Sequence, residues 1–184
     1  MILGDRDIRA AIEDGSIIID PFDAVKVQPA SYDLTLSSSF KCFPVSNICD
    51  LGKTYDYEKY MVKVDASDSG IELGPGEFCL GVTQERVAVS DRVLGRIEGK
   101  SSLGRLGLLV HLTAGFVDPG WDGPLTLEFY NASPNSLILR PGQRIAQISF
   151  SYLHTPSESY YGLNNKGSYR ESLPNEPMAS RYKY

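Results

Sequence analysis

Leu125-Thr126-Leu127-Glu128-Phe129-Tyr130, Ser133-Pro134-Asn135, Ser136-Leu137-Ile138-Leu139, Arg140-Pro141-Gly142 and Arg144-Ile145-Ala146-Gln147-Ile148-Ser149-Phe150 follow one another along residues 125–150. The first run alternates. Leu125, Leu127 and Phe129 share one face of an extended chain, and Thr126, Glu128 and Tyr130 share the other. The Pro, Asn and Gly residues between the apolar runs are turn formers. Such short, punctuated segments read as strands joined by tight turns.

The same grammar extends outward. Ser31 to Leu36, Glu77 to Val82, Leu94 to Ile97 and Leu106 to Leu112 are further strand candidates, with Gly74-Pro75-Gly76 and Asp118-Pro119-Gly120 as turns. Many short strands of this kind indicate a mainly β chain, a sandwich or barrel. One helix is signalled near Asp5 to Asp14, where Ile8, Ala11 and Ile12 fall at helical spacing and Gly15 supplies a stop. Leu73-Gly74-Pro75-Gly76 and Leu139-Arg140-Pro141-Gly142 are either a turn-then-strand pseudo-repeat or a coincidence. Residues 46–70 are polar and irregular and read as an excursion from the barrel. The tail after Tyr160, rich in Gly, Asn, Ser, Tyr and Lys, reads as disordered or as ordered only over a ligand.

A length of 184 residues suits a single domain, and 42% hydrophobic with 22% charged residues is ordinary for a globular chain. The net charge of −5 argues against a broad nucleic-acid or anionic-membrane surface, while a local cationic pocket remains compatible with it. No apolar run approaches the roughly 20 residues of a membrane span, and the N-terminus carries no signal-peptide pattern. Cys42, Cys49 and Cys79 are odd in number and form no CxxC, which points to free thiols in a reducing cytoplasm.

Four features carry possible chemistry. Lys100-Ser101-Ser102-Leu103-Gly104-Arg105 combines two cations, two hydroxyls and a glycine; it can cradle phosphates or be a solvated serine turn, and it lacks Walker A spacing. Asp118 stands in Gly-Phe-Val-Asp-Pro-Gly-Trp, a plain turn or a carboxylate at a loop tip suited to a sugar hydroxyl or a water. Glu128 is either an exposed strand glutamate or a carboxylate in a cleft, usable as a general base. His111 reads as structural. With His154 it makes only two histidines, too few for a His-rich metal site, and the H-x-E and P-C-x-x-C elements of zinc nucleobase deaminases are missing.

Taken together, Glu98-Gly99-Lys100-Ser101-Ser102-Leu103-Gly104-Arg105-Leu106-Gly107, Thr113-Ala114-Gly115-Phe116-Val117-Asp118-Pro119-Gly120-Trp121 and Leu127-Glu128 resemble the signature blocks of the dCTP deaminases, which belong with the trimeric dUTPases. Leu3-Gly4-Asp5-Arg6-Asp7-Ile8 and Gln28-Pro29-Ala30-Ser31-Tyr32-Asp33-Leu34 are similar to that family as well. The likeness runs to about Tyr161 and is weakest over residues 46–70.

The resemblance implies a distorted jelly-roll-like β barrel of the trimeric dUTPase type with a short N-terminal helix. It implies one domain over residues 1–184, a tail from about 161 that orders over bound nucleotide, and a homotrimer with interfacial active sites. It implies deamination of cytosine without zinc, with Glu128 as the catalytic base and Ser102 and Arg105 positioning the water and glutamate or touching phosphate. Lys100, Ser101, Ser102, Leu103, Gly104 and Arg105 match the triphosphate segment. Asp118 matches the deoxyribose contact, Thr126, Leu127, Glu128 and Gln147 the surroundings of base and phosphates, and Tyr161 a phosphate contact. Mg²⁺ is expected on the triphosphate rather than in a protein cage.

Family members that stop at dUTP carry bulky polar or basic residues after the Thr-Ala pair, whereas those that continue to dUMP carry Gly and an aromatic. Gly115-Phe116 therefore implies the dUMP-forming type, with a small Gly115 leaving room for a water beside the α-phosphate and Asp118 activating it. The tail departs from the family's Gly-Ser-Lys-Tyr-x-x-Gln segment: here it reads Lys166-Gly167-Ser168-Tyr169-Arg170-Glu171-Ser172, so Lys166 or Arg170 would supply the cation. A deaminase releasing dUTP, a plain dUTPase and a silent nucleotide-sensing regulator are the competing readings. Inhibition by dTTP, and no nucleic-acid or membrane partner, complete the expectations.

Overall fold

The computed structural model describes residues 1–44, 50, 57–67, 69–159 and 176–178. Helix α1 spans Asp5–Glu13 and buries Ile8 and Ala11 against the core, with Asp5 and Asp7 in the first turn, where the helix dipole favours acids. Gly15 follows at φ 80°, a left-handed conformation that ends the helix.

The strands are β1 Ile17–Asp20, β2 Val27–Gln28, β3 Ser31–Cys42, β4 Val62–Asp65, β5 Ile71–Leu73, β6 Phe78–Val89, β7 Val93–Gly99, β8 Leu108–Leu109, β9 Phe116–Val117, β10 Asp122–Asn131, β11 Leu137–Leu139 and β12 Arg144–Tyr152. A short helix α2, Ser101–Gly104, follows β7. The main sheet runs β8-β10-β6-β3-β12-β7-β9, with β1 added to β6 and β2 and β4 added to β3. Its pairings are antiparallel throughout.

Strand β3 curls this sheet. Its first half pairs with β12 and its second with β6, and the β3–β6 register shifts between Leu36 and Phe40. A bulge of this kind bends a strand and steepens its twist. The concave side buries Tyr32, Leu34, Leu36, Phe40, Leu127, Phe129, Ile145, Ile148 and Phe150. The mainly β, barrel-like architecture with a short N-terminal helix agrees with the sequence. Strand β10 keeps the expected alternation, with Leu125, Leu127 and Phe129 buried and Thr126, Glu128 and Tyr130 half-buried on the other face.

The two Pro-Gly segments adopt one turn. Gly76 and Gly142 have φ of 74° and 84°, and the Glu77 and Gln143 amides donate to Gly74 and Arg140 carbonyls at 3.1 and 3.3 Å. Pro followed by positive-φ glycine is the type II arrangement. Glu77 and Gln143 each return a side-chain oxygen to the first amide of their turn. The preceding strands, β5 and β11, pair with each other.

Other expectations need correcting. Leu106 to Leu112 is a strand only at Leu108–Leu109, because Leu106 closes a turn onto Leu103 and Gly107 takes φ 90°. Within residues 46–70, Val62–Asp65 is not irregular but pairs with Ser39–Cys42. Ile17–Asp20 is a strand that the sequence reading passes over. No helix among the described residues is long and apolar enough to cross a membrane.

Candidate active site

Glu128 sits opposite Leu80 of β6, and its own amide donates to Val110 O at 3.0 Å. The chain between β8 and β9 thereby runs along the edge of β10. Two amides of that chain, Leu112 and Thr113, donate to Glu128 Oε2 at 2.8 and 3.2 Å. Among the described residues, no group of the chain donates to Oε1. One oxygen fixes the carboxylate and the other has no donor among the described residues, a disposition suited to a general base.

Gly115 closes this loop. Its carbonyl accepts the Ile97 amide at 2.7 Å. A Cβ at this position would lie 3.2 Å from Ile97 O and 3.3 Å from His111 Cε1, so a larger residue here would have to push the neighbouring backbone and ring aside by a few tenths of an ångström. Among the described residues, the buried His111 Nδ1 has no hydrogen-bond partner. His111 Nε2 lies 3.8 Å from Glu98 Oε2, and Arg96 pairs with Glu98 at 2.8 Å. Arg96 also stands 6.0 Å from the centroid of the Phe116 ring, which is 66% exposed.

Segment 100–105 folds as α2 rather than as an open loop. Leu103 packs on the core, while Ser101, Ser102, Gly104 and Arg105 are exposed. Lys100 Nζ meets Asp33 Oδ1 at 2.5 Å. Among the described residues, neither Ser102 nor Arg105 reaches the Glu128 carboxylate through a hydrogen bond or ion pair. Asp118 is exposed at the first position of its turn, where its carbonyl accepts the Trp121 amide at 3.0 Å.

Leu127 is fully buried, so only its main chain can meet a ligand. Gln147 spends its amide within the chain: Nε2 donates to Gly99 O at 3.1 Å, and Oε1 accepts from Ser31 Oγ at 3.2 Å. Thr126 Oγ1 accepts the Met178 amide at 3.0 Å, so part of the C-terminal tail lies on the Glu128 face of β10. Glu176 beside it pairs with Lys63 and with Lys41, the latter at 3.8 Å. The hydrogen bond from Lys63 holds the Glu176 carboxyl below its ordinary range.

A family model described as dCTP deaminase-like matches residues 2–153, from before α1 through β12. The chain belongs to the dCTP deaminase-like family. Two relatives bear the name "dCTP deaminase, dUMP-forming". One, from Beutenbergia cavernae, is 45% identical over 183 residues, covering 98% of this chain and 94% of the relative. The other, from Mycobacterium tuberculosis, is 44% identical over 169 residues, covering 91% and 89%. The solved 2'-deoxycytidine 5'-triphosphate deaminase from Agrobacterium tumefaciens superposes with a TM-score of 0.62 at 29% identity. It covers 81% of this chain, which spans 46% of that one.

Of the residues expected from the family likeness, Tyr161, Lys166 and Arg170 lie outside the described residues. Sequence reasoning missed the Leu112 and Thr113 amides, which carry no side-chain signature. It also gives Asp33 no task, although the alternation of Ser31 to Leu36 sets Asp33 apart from Tyr32 and Leu34. Among the described residues, no group of three or more His, Cys, Asp or Glu can hold a metal ion.

Proposed function

We propose that this chain converts dCTP and two waters to dUMP, ammonia and diphosphate, by deamination at C4 and then cleavage after the α-phosphate. The observation that carries the first step is Glu128, fixed through Oε2 by two backbone amides and, among the described residues, without a donor on Oε1. Glu128 takes a proton from water as the oxygen adds to C4, and passes it to N3. It then takes the proton of the new C4 hydroxyl and delivers it to the amine. The C4–N4 bond breaks, ammonia leaves and a uracil carbonyl remains. A base placed for such transfers contributes typically 10²–10⁴-fold.

Lys100, Ser101, Ser102, Leu103, Gly104 and Arg105 hold the triphosphate, with Ser102 and Arg105 also orienting the attacking water. Thr126, the Leu127 main chain and Gln147 surround the base and phosphates, and Tyr161, Lys166 and Arg170 close from the tail. Asp118 contacts the deoxyribose. In the second step it takes a proton from the water that attacks the α-phosphorus, and diphosphate leaves. The Gly115-Phe116 pair and the dUMP-forming names of the relatives support this step. Mg²⁺ on the triphosphate offsets its charge and lowers the cost of forming the diphosphate leaving group.

The active unit is a homotrimer of this single domain, in the cytoplasm, with dTTP as an inhibitor. The exposure of Ser102, Arg105, Asp118 and Phe116, and the lack of a bond from Ser102 or Arg105 to Glu128 among the described residues, support a site completed by a neighbouring copy. Ammonia release by the purified protein, compared on dCTP and dUTP, tests the reading. Ammonia from dCTP supports it. Cleavage of dUTP without any ammonia from dCTP makes the chain a plain dUTPase.

A further inference from the structure

Asp33 is 2% exposed, and a carboxylate that deep is rarely found without a partner. It lies in β3 opposite Gln147 of β12, which in turn lies opposite Glu98 of β7. Residues aligned across strands share a face. Lys100, two residues beyond Glu98, leaves the end of β7 on that same face and turns back across β12. Its ammonium meets Asp33 Oδ1, and the Arg144 guanidinium stands 3.5 Å from Asp33 Oδ2. Side-chain exposure is 3% for Asp33, 23% for Lys100 and 41% for Arg144. A buried anion therefore forms the floor of a cluster whose rim is two cations.

The surroundings stiffen this arrangement. Gln147 ties Gly99, the residue before Lys100, to Ser31 on the strand that carries Asp33. A lysine loses as much rotamer freedom on fixation as any side chain, and holding it in advance removes that cost from binding. Moving the ammonium to a phosphate would strand a lone buried carboxylate, an expensive state. Arg144 on the second oxygen prevents that.

We propose that Asp33 is the positioning residue of the triphosphate site, presenting Lys100 to the phosphates while Arg144 stays behind as its counter-ion. The inference rests on the reading of Lys100 as a phosphate ligand.

The test is steady-state kinetics of the full-length enzyme on dCTP, with dCMP as a competitive inhibitor that shares the base, sugar and α-phosphate. Asp33→Asn should raise KM for dCTP roughly tenfold or more, with kcat and the dCMP inhibition constant unchanged. Lys100→Met should do the same, and the double variant should be no worse than Lys100→Met alone. Should Asp33→Asn not fold, the exposed Arg144→Gln takes its place, with the same selective rise in KM expected. An unchanged KM, or equal weakening of dCTP and dCMP, overturns the positioning role. If Lys100→Met itself leaves KM unchanged, the phosphate reading of Lys100 falls first. If only Lys100→Met raises it, that reading stands and the role of Asp33 is lost.

Discussion

Glu128 Oε2 accepts the Leu112 amide at 2.8 Å, joining the carboxylate of β10 to the backbone of the neighbouring loop. The loop thus sets the aim of the base without contributing a side chain to it. A Glu128→Gln variant keeps a carbonyl oxygen that can accept this amide but has no carboxylate to take a proton. It should bind dCTP like the parent, while kcat for ammonia release drops by roughly 10²–10⁴. Single-turnover assays beside equilibrium binding separate the two; undiminished turnover removes Glu128 from the chemistry.

Gly115 bears on the same loop from behind. In a Gly115→Val variant the new side chain would press on Ile97 O and the His111 ring, which lie 3.2 and 3.3 Å from the position of its Cβ. The strain falls on the residues that carry the Leu112 and Thr113 amides. The substitution should therefore depress ammonia release and dUMP formation together, and cost about 1–3 kcal/mol of stability by overpacking. Loss of dUMP with ammonia release intact would confine the role of the glycine to the space beside the α-phosphate and remove it from the aiming of Glu128.

Glu85 and Lys26 form a buried pair remote from these groups. Glu85 Oε1 meets Lys26 Nζ at 2.8 Å and Oε2 accepts the Thr35 amide at 2.8 Å, with the Glu85 side chain 0% exposed. Removing one partner of such a pair leaves a buried charge uncompensated. Lys26→Met should destabilise the fold by about 3–5 kcal/mol in denaturant titration, and a variant as stable as the parent would show that water reaches Glu85.

The tail contact is sensitive to acid. Because Lys63 lowers the Glu176 carboxyl from its ordinary value of 4.5, the contact adds stability that is fully present above that value. That stability is lost as pH falls through the lowered folded value. Limited proteolysis should show the tail protected at neutral pH and cleaved faster on acidification, and Glu176→Gln should be cleaved fast at both. Equal rates for parent and variant at neutral pH would detach Glu176 from tail anchoring.

Local chemistry makes much of this legible. The alternation of Leu125 to Tyr130 discloses both the core face of β10 and the outward Glu128, and Pro-Gly pairs mark two turns that prove to be alike. Helix α1 follows from Ile8, Ala11 and Gly15. What stays hidden depends on pairs distant in sequence or on backbone. Asp33 and Lys100 are 67 residues apart, and the amides at Leu112 and Thr113 look like any others. Gly107 reads as part of a strand, because its positive φ comes from the turn after α2 and from the close approach of Ser133, 2.7 Å from where its Cβ would be. Val62–Asp65 does alternate, with Val64 packed against the core, but two valines in a polar stretch give too short a run to mark a strand.

Chromatographic separation of the nucleotides formed from dCTP and Mg²⁺ tests the two-step conversion most directly. Predominant dUMP with little free dUTP, at all times during turnover, is the predicted result. Accumulation of dUTP that the protein leaves uncleaved would contradict it and reduce the chain to a deaminase alone.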